Sequence, residues 1–399
     1  MLPEPRHPPR GGTDGGGTDG CGTDGCGTEG SVAVADRDGL LAAWDWNADG
    51  GAGGTFESGP VGSVTGYVVR ADDAPGPTLV LPLDHLPAGA LALAGELAGL
   101  RRALARTPYR DLNKIAVYGS SAHPGVDLDY RFVQALPDGS FDFRTGCGHS
   151  LLACVVADQQ IEGRRPGPGP GRRPGPGAGP VTVRALTTGD TIRVLPQGTA
   201  GAPLDMPPLD VPPQGTAGAP PAPDGAYTLD FLRPPTAPGT LPTGRPVDVI
   251  DGVPVSIVRY GNPYVFVDAR HLPPADPPRR ARMLQLRAQA ASLLGYAPWS
   301  PLAPLPKIAT FSRTPDGTGL AVRALTVGGW HPRLALTGAA ALAAAGALAG
   351  TVVPGPVGAV TTPGGPVRVS AAPDRVRVHD KRARPIARLD LPWRIHATA

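Results

Sequence analysis

The sequence predicts an α+β fold with two pseudo-symmetric domains, each a strongly bent sheet or barrel around a central apolar helix. Three observations predict it. Short strand-like segments fill both halves of the chain, an apolar helical segment comes late in each half, and low-complexity segments separate the parts. A helix that is apolar on all sides must be enclosed, and a bent sheet wrapped around it would enclose it.

Low-complexity segments set the domain boundaries. The chain of 399 residues contains 56 Gly and 51 Pro, concentrated in repeats: a Gly/Thr/Asp tail over 1–30, an Arg/Pro/Gly linker over 163–179 and an insert over 196–223. Such compositions bury too little apolar surface to offset the entropy of ordering, so we predict disorder there. The remaining parts are a first domain, a second domain and a C-terminal tail that we expect to return to the first domain: 31–162, 180–385 and 386–399.

The strands of both halves are predicted from β-branched and aromatic runs or from alternation of apolar and polar residues. In the first half they are 31–35, 64–70, 78–83, 114–119, 129–136 and 141–144. In the second half they are 181–186, 191–195, 227–232, 255–261, 264–269, 307–312, 321–327 and 367–370. Helical spacing of Leu and Ala predicts helices over 89–106 and 278–294, and two further apolar helices follow Cys147 and Thr337.

Composition restricts partners and location. Charged residues make up 18% of the chain, the formal net charge is +3, and no Lys/Arg cluster alternates with aromatic residues, so we predict no nucleic-acid partner. Cys21, Cys26, Cys147 and Cys154 form neither a disulfide framework nor a CxxC metal pair, and the N-terminus lacks a signal-peptide core. These features predict a cytoplasmic protein without a metal site.

One segment, 334–353, has no charge in 20 residues and so imitates a membrane span. It is mostly Ala and Gly, it contains a Thr-Gly pair typical of a helix start, and it passes Gly350, a typical helix stop. We interpret it as an enclosed helix and predict no membrane insertion. A homodimer is our hypothesis for the assembly.

A candidate reactive thiol follows the strand at 141–144, in the stretch RTGCGHS. Thr145 and Gly146 precede a predicted helix whose first turn holds Cys147. Free N–H groups and the helix dipole at that end favour a thiolate, and Gly146 and Gly148 would let a carboxylate approach the backbone amides. The alternative interpretation is that Cys147 is a small packed residue; Cys154, two turns further on, is predicted to lie in the core.

The stretch GCGHSLLA, 146–153, resembles the first catalytic motif of the diaminopimelate epimerase fold. Further segments resemble the PrpF family of methylaconitate and aconitate isomerases, which also contains oxalomesaconate tautomerases. They occur in the order of that family and are 113–136, 241–250, 260–272, 305–312 and 322–353.

This resemblance implies an isomerase that shifts a double bond by allylic proton transfer in a small unsaturated carboxylic acid, without a metal or organic cofactor. It implies Lys114 and Cys147 as the catalytic pair, since a buried lysine can act as a base near neutral pH. The candidate substrate-binding residues are Arg70, Ser120, Ser121, Gly146, Gly148, His149, Ser150, Asn262, Thr337 and Gly338.

The sequence also departs from the family pattern. The loop RADDAPG, 70–76, replaces a carboxylate-binding loop, and its two aspartates would repel a polycarboxylate. No cysteine lies near Thr337, which argues against a two-thiol racemase and fits a one-sided proton shift. His149 replaces an asparagine and could bind substrate, act as an acid or base, or pack in the core.

Two further residues of the second half are candidates for lesser roles. We interpret His331 as a capping residue and Lys307 as a structural residue or ligand contact. The alternative to an enzyme is a non-catalytic member of the fold that binds a small acid or a protein partner, and the aspartates of the 70–76 loop favour it.

Overall fold

A computed structural model describes residues 62–83, 86, 90–160, 179–197, 225–296, 303–326 and 329–393. The predicted tail over 1–30 and the strand over 31–35 lie outside the described residues, as does nearly all of the 163–179 linker and of the 196–223 insert. The described residues form an α+β fold dominated by strands.

Eighteen strands are present in the described part of the chain. They are β1 Gly62–Ala71, β2 Thr78–Pro82, β3 Lys114–Ser120, β4 Leu128–Ala135, β5 Phe141–Asp142, β6 Val181–Ala185, β7 Thr191–Pro196, β8 Tyr227–Phe231, β9 Asp248–Ile250, β10 Val253–Tyr260, β11 Asn262–Asp268, β12 Lys307–Arg313, β13 Leu320–Thr326, β14 Gly329–Trp330, β15 Ala359–Thr362, β16 Gly365–Ala372, β17 Arg375–Lys381 and β18 Ala383–Trp393. The α-helices are α1 Ala90–Leu104, α2 Gly148–Gln160, α3 Pro278–Leu293 and α4 Leu336–Ala347, and a short 3₁₀ helix covers Ala269–His271.

In the first half the sheet order is β1-β2-β3-β4-β6-β7-β8. The β2/β3 and β4/β6 pairs are parallel and the other neighbours are antiparallel. Parallel neighbours cannot be joined by a tight turn, and α1 supplies the crossover from β2 to β3. The short β5 extends β4 and leads into α2.

In the second half the order is β10-β11-β12-β13-β15-β16-β17. Here β11/β12 and β13/β15 are the parallel pairs, α3 supplies the crossover between β11 and β12, and the short β14 leads into α4. The two halves join through the antiparallel β8/β17 pair, and the C-terminal β18 returns to pair with β1 along its length.

The four helices pack in three separate hydrophobic clusters. Along α2 every residue from Leu151 to Ala157 is buried, and the helix packs on strands of the first half and on β18. Along α4 every residue from Leu336 to Ala345 is buried against β10, β11, β16 and β17. Both helices belong to one continuous apolar cluster, while α1 and α3 each cover a separate cluster on the opposite face of the strands.

The 334–353 segment therefore contains a helix of 12 residues, of which the first ten are buried. Within the ranges given above, no helix has the length and apolar character needed to cross a membrane. Five of the described strands fall outside the predicted ones: β9, β14, β15, β17 and β18. The last of these, β18, runs across the expected boundary at 385/386.

Candidate active site

A cavity of about 710 Å³ is lined by residues of both halves. It lies at the N-terminal ends of β3 and β12 and at the mouths of α2 and α4. The charged, imidazole and thiol groups on its wall are Arg70, Arg101, Arg110, Asp111, Lys114, Cys147, His149, Lys307 and His331. The one carboxylate in this set, Asp111, is exposed and paired with the equally exposed Arg110 at 3.8 Å.

Lys114 is the first residue of β3, with only 7% of its surface exposed. Its Nζ donates a hydrogen bond to the carbonyl of Gly76 at 3.3 Å, and no carboxylate of the described residues lies within ion-pair distance. Burial lowers the pKa of Lys114, Cys147 opposes that shift and Arg70 adds to it. A lysine in this setting can supply a neutral amine as a base.

The helix α2 begins at Gly148, so Cys147 lies immediately before the helix and not in its first turn as predicted. Its carbonyl accepts hydrogen bonds from the backbone N–H of Leu151 and from the Tyr130 hydroxyl, both at 2.9 Å, which fixes the backbone at the helix mouth. The Cys147 side chain is partly buried and lines the cavity. Cys154 is fully buried, and burial raises the pKa of its thiol well above the ordinary value.

His149 and His331 stack across the cavity wall, with ring centroids 6.4 Å apart and an interplanar angle of 17°. Both are nearly inaccessible. Burial lowers the pKa of His331 to about 4 and that of His149 well below its ordinary value, and neighbouring lysines add to both shifts. Both imidazoles are therefore neutral at neutral pH, and His331 is a wall residue rather than only a cap.

Lys307 opens β12 as Lys114 opens β3, and it lines the same cavity. Burial lowers the pKa of Lys307, Cys147 opposes the shift, and Lys114 adds to it. The chain contains three lysines, and the third, Lys381, is buried and paired with Asp73.

The loop at 70–76 does not present two free aspartates to the cavity. The Asp73 carboxylate is buried and paired with Lys381 and with Arg333, the latter at 2.6 Å. Asp72 is exposed and, like Asp73, does not line the cavity, whereas Arg70 and Gly76 do. The predicted repulsion of a polycarboxylate by this loop is therefore wrong, because one carboxylate is neutralised by two cations and neither faces the cavity.

Asn262 joins the mouths of the two helices. Its side chain accepts from the Gly146 N–H at 2.8 Å and donates to the Gly146 carbonyl at 2.7 Å and to the Thr337 hydroxyl at 3.2 Å. The Gly146 amide is thus bonded to protein and is not left to a ligand carboxylate. At Gly148 a Cβ would lie 2.5 Å from Leu336, so this glycine permits close contact between α2 and α4.

Several predicted contacts lie away from the cavity. Ser120 is the last residue of β3 and Ser121 follows it, at the end opposite Lys114 and about 20 Å away at ~3.3 Å per residue, and Ser121 donates to Asp129. Ser150 is buried against Thr78, with hydroxyls 2.9 Å apart. Gly338 permits α4 to pack on Tyr264, whose ring would be 2.7 Å from an added Cβ. Ser120 and Ser121 therefore lie at the end of the strand away from the cavity, and Ser150 and Gly338 occupy packing positions.

Lys307 and His331 lie on the cavity wall, although the sequence predicts only a structural or ligand-contact residue and a cap. The signal available in the sequence was their position. Lys307 precedes a predicted strand as Lys114 does, and His331 lies shortly before a predicted apolar helix, as Cys147 does. Within the described ranges, no group of three or more His, Cys, Asp or Glu side chains could hold a metal ion.

Comparison with known proteins places this chain in a family. The profile of the PrpF protein family matches residues 110–384, and the chain belongs to that family. A protein of Escherichia coli strain K12, described as "Putative isomerase YbhH", is 29% identical over 256 residues, which cover 60% of this chain and 68% of the relative. The YbhH protein of Shigella flexneri matches with the same identity and coverage.

Among solved structures, the crystal structure of a methylitaconate-delta-isomerase superposes with a TM-score of 0.54 at 20% identity. The superposition covers 84% of this chain and 96% of the other. At that identity the likeness shows the fold, and it agrees with the membership of the PrpF family.

Proposed function

We propose that this protein is a cofactor-independent isomerase that shifts a double bond in a small unsaturated carboxylic acid by moving an allylic proton. One observation carries the proposal: Lys114, buried with a lowered pKa and without an ion-pair partner among the described residues, shares a cavity with the Cys147 thiol. The isomerase descriptions of the relatives support the same reaction class.

In the proposed reaction the neutral amine of Lys114 takes a proton from the carbon next to the double bond. The electron pair of that C–H bond forms a new double bond, and negative charge spreads onto the substrate carboxylate. The Cys147 thiol then gives a proton to the carbon at the far end of the original double bond. The resulting ammonium and thiolate return to their starting forms by proton exchange through solvent.

The charges on the wall support an acid as the substrate. Arg70 and Lys307 face the cavity as cations, and among the described residues on its wall the one carboxylate, Asp111, belongs to an exposed pair with Arg110. An anionic ligand would therefore enter a site of positive potential. His149 and Arg70 are the substrate contacts we propose from the first half, while Asn262 and Thr337 hold the two helix mouths together around the site.

The arrangement of the fold supports two pseudo-symmetric domains, which we propose as the architecture that creates the cavity. Each half has a parallel strand pair bridged by a helix, a lysine opening the second strand of that pair, and a short strand leading to a buried helix. The site lies where the two halves meet, so residues of both form its wall.

The test is hydrogen exchange in D₂O with a panel of unsaturated di- and tricarboxylic acids, followed by NMR at the allylic position. We expect exchange and isomerisation of at least one acid by the wild-type protein, and strong loss in Lys114→Ala and Cys147→Ser. General acid–base groups contribute about 10²- to 10⁴-fold, so losses below about tenfold would speak against these roles. Binding of an acid without exchange across the whole panel would instead favour a non-catalytic member of the family.

A further inference from the structure

One buried carboxylate joins the 70–76 loop of the first half to the second half. Asp73 pairs with Lys381, the last residue of β17, and with Arg333, shortly before α4, the latter at 2.6 Å. Asp73 and Lys381 are 7% and 3% exposed, and none of the three side chains lines the cavity. Because burying charges cancels much of the energy gained by pairing them, such a cluster is weak evidence for stability, and its role must be sought in what it holds in place.

The backbone of β17 is distorted where it presents Lys381. Alternation along the strand places Val378 inside, but the register against β8 then shifts, so that Asp380 is exposed and Lys381 is buried. Asp380 has a φ of 58°, which is unfavourable for a residue other than glycine, and Arg368 holds its carboxylate at 2.7 Å. Such irregularities redirect side chains, and this one turns Lys381 inward, towards Asp73.

The other end of the loop reaches the base. A tight turn surrounds Asp73, with the Ala74 N–H donating to the Ala71 carbonyl at 3.1 Å. Three residues after Asp73, the carbonyl of Gly76 accepts from Lys114 Nζ at 3.3 Å, and Gly76 lines the cavity with the proline on each side of it. Because proline fixes φ, the segment is stiff. The position of the Gly76 carbonyl therefore follows that of Asp73.

We propose that Asp73 is a positioning residue that keeps the 70–76 loop against Lys114. This inference rests on the proposed function, in which Lys114 is the base. Lys381 and Arg333 hold Asp73 from the second half, so the surroundings of the base in the first half depend on how the halves meet. Without Asp73 the loop would leave Lys114 open to water. Since burial is the largest cause of the lowered pKa of Lys114, that pKa would then rise.

Loss of charge alone predicts the opposite change. Removing the Asp73 carboxylate would favour the neutral form of a nearby lysine and lower its pKa. Asp73→Ala combined with Lys381→Met removes one negative and one positive charge, so the net charge is unchanged. The other titratable and charged groups that interact with Lys114 are intact in these variants: Arg70, Cys147, His149, Lys307 and His331. A raised pKa of Lys114 would therefore indicate exposure of the amine.

The first experiment measures kcat/KM against pH in the D₂O exchange assay for Asp73→Asn and for Asp73→Ala/Lys381→Met, which leaves no buried lysine unpaired. We expect the acidic limb to move up by at least about one pH unit, with kcat/KM at pH 7 about tenfold lower, because less of the base is neutral. Asp230→Asn is the matched control. Asp230 is buried between Arg377 and Arg375, at 2.8 and 3.3 Å, where β8 and β17 join the halves, so this variant should lose stability and keep the wild-type profile.

The second experiment needs no activity. The chain has three lysines, so the ¹³Cε signals of labelled lysine are few, and Lys114→Arg identifies the signal of Lys114. We expect its titration midpoint to rise by at least about one pH unit in both Asp73 variants and to stay at the wild-type value in Asp230→Asn. An unmoved or lowered midpoint in folded Asp73 variants overturns this inference and leaves the proposed function intact. Absence of exchange by the wild-type protein with every acid overturns the proposed function, and the catalytic role of Asp73 with it.

Discussion

The two walls of the cavity have the same framework but different chemistry. On one wall Lys114 opens β3 and Cys147 precedes α2; on the other Lys307 opens β12 and Ala335 precedes α4. Burial lowers the pKa of both lysines. The second wall has no thiol at the helix mouth, so only the first offers an amine and a thiol together. The comparison teaches that a repeated framework can carry an amine and a thiol on one wall and an amine without a thiol on the other; under the proposed function, proton transfer belongs to the first wall.

Lysine is rare in this chain, and its positions help to distinguish the two walls of the cavity. Its 37 basic residues include only three lysines, Lys114, Lys307 and Lys381, and all three lie on the cavity wall or in the buried pair with Asp73. Arginine stays protonated at any pH a protein meets, whereas a buried lysine can lose its proton. A lysine is therefore needed where an amine must act as a base, and an arginine can replace it where only charge is required.

The largest expected effect is on kcat, and it tests which of Lys114 and Lys307 acts as the base. Lys114→Arg keeps the positive charge but removes the base, and we expect kcat to fall by about 10²- to 10⁴-fold. Lys307→Arg keeps the positive charge, which is all that we expect of this position, so kcat should stay within about threefold of wild type. Steady-state isomerisation kinetics measure both. Equal losses in the two variants would contradict the assignment of the base to one wall.

The second prediction compares the mouth of α2 with its interior. Cys147 lines the cavity, whereas Cys154 is fully buried and its pKa is raised well above the ordinary value. Because alkylation requires an accessible thiolate, we expect iodoacetamide to modify Cys147 at least about 100-fold faster than Cys154 in the folded protein. Peptide mass spectrometry over time measures both rates. Comparable rates in native buffer would contradict the geometry, and the two should converge in denaturant.

The first wall could be predicted from sequence and the second could not, for a physical reason. Cys147 lies between glycines at a helix start, and Lys114 opens a strand in a segment that resembles the family. The sequence around each residue therefore indicated a candidate site residue. His331 and Lys307 had only their positions beside strand and helix ends as a signal, because their place on the cavity wall depends on strands and helices more than 150 residues apart in sequence meeting at one cavity. Likewise, Asp73 looked like a free charge because its partners Lys381 and Arg333 are distant in the chain.

The third prediction uses the buried histidine of the second wall. Its folded-state pKa of about 4 lies below the ordinary value of 6.5, so the unfolded chain takes up the proton first as the pH falls. Stability from this group is therefore complete above pH ~6.5 and is lost between pH ~6.5 and ~4, amounting to about 3 kcal/mol. Urea unfolding across this range should show a smaller loss for His331→Phe than for wild type. An identical pH dependence would contradict a neutral buried His331.

The smallest expected effect tests the contact that brings the two walls together. An added Cβ at Gly148 would lie 2.5 Å from Leu336 Cδ2 and 2.9 Å from its Cβ, and the latter cannot move without the α4 backbone. We expect Gly148→Ala to lower the free energy of unfolding by about 1–3 kcal/mol, the usual cost of overpacking. Gly95→Ala in α1 is the matched control. Nothing lies within 4 Å of its added Cβ, so the better helix propensity of alanine should raise stability by up to about 1 kcal/mol. Denaturant unfolding of both variants gives the two signs, and stabilisation by Gly148→Ala would mean that α2 and α4 do not approach closely at the site.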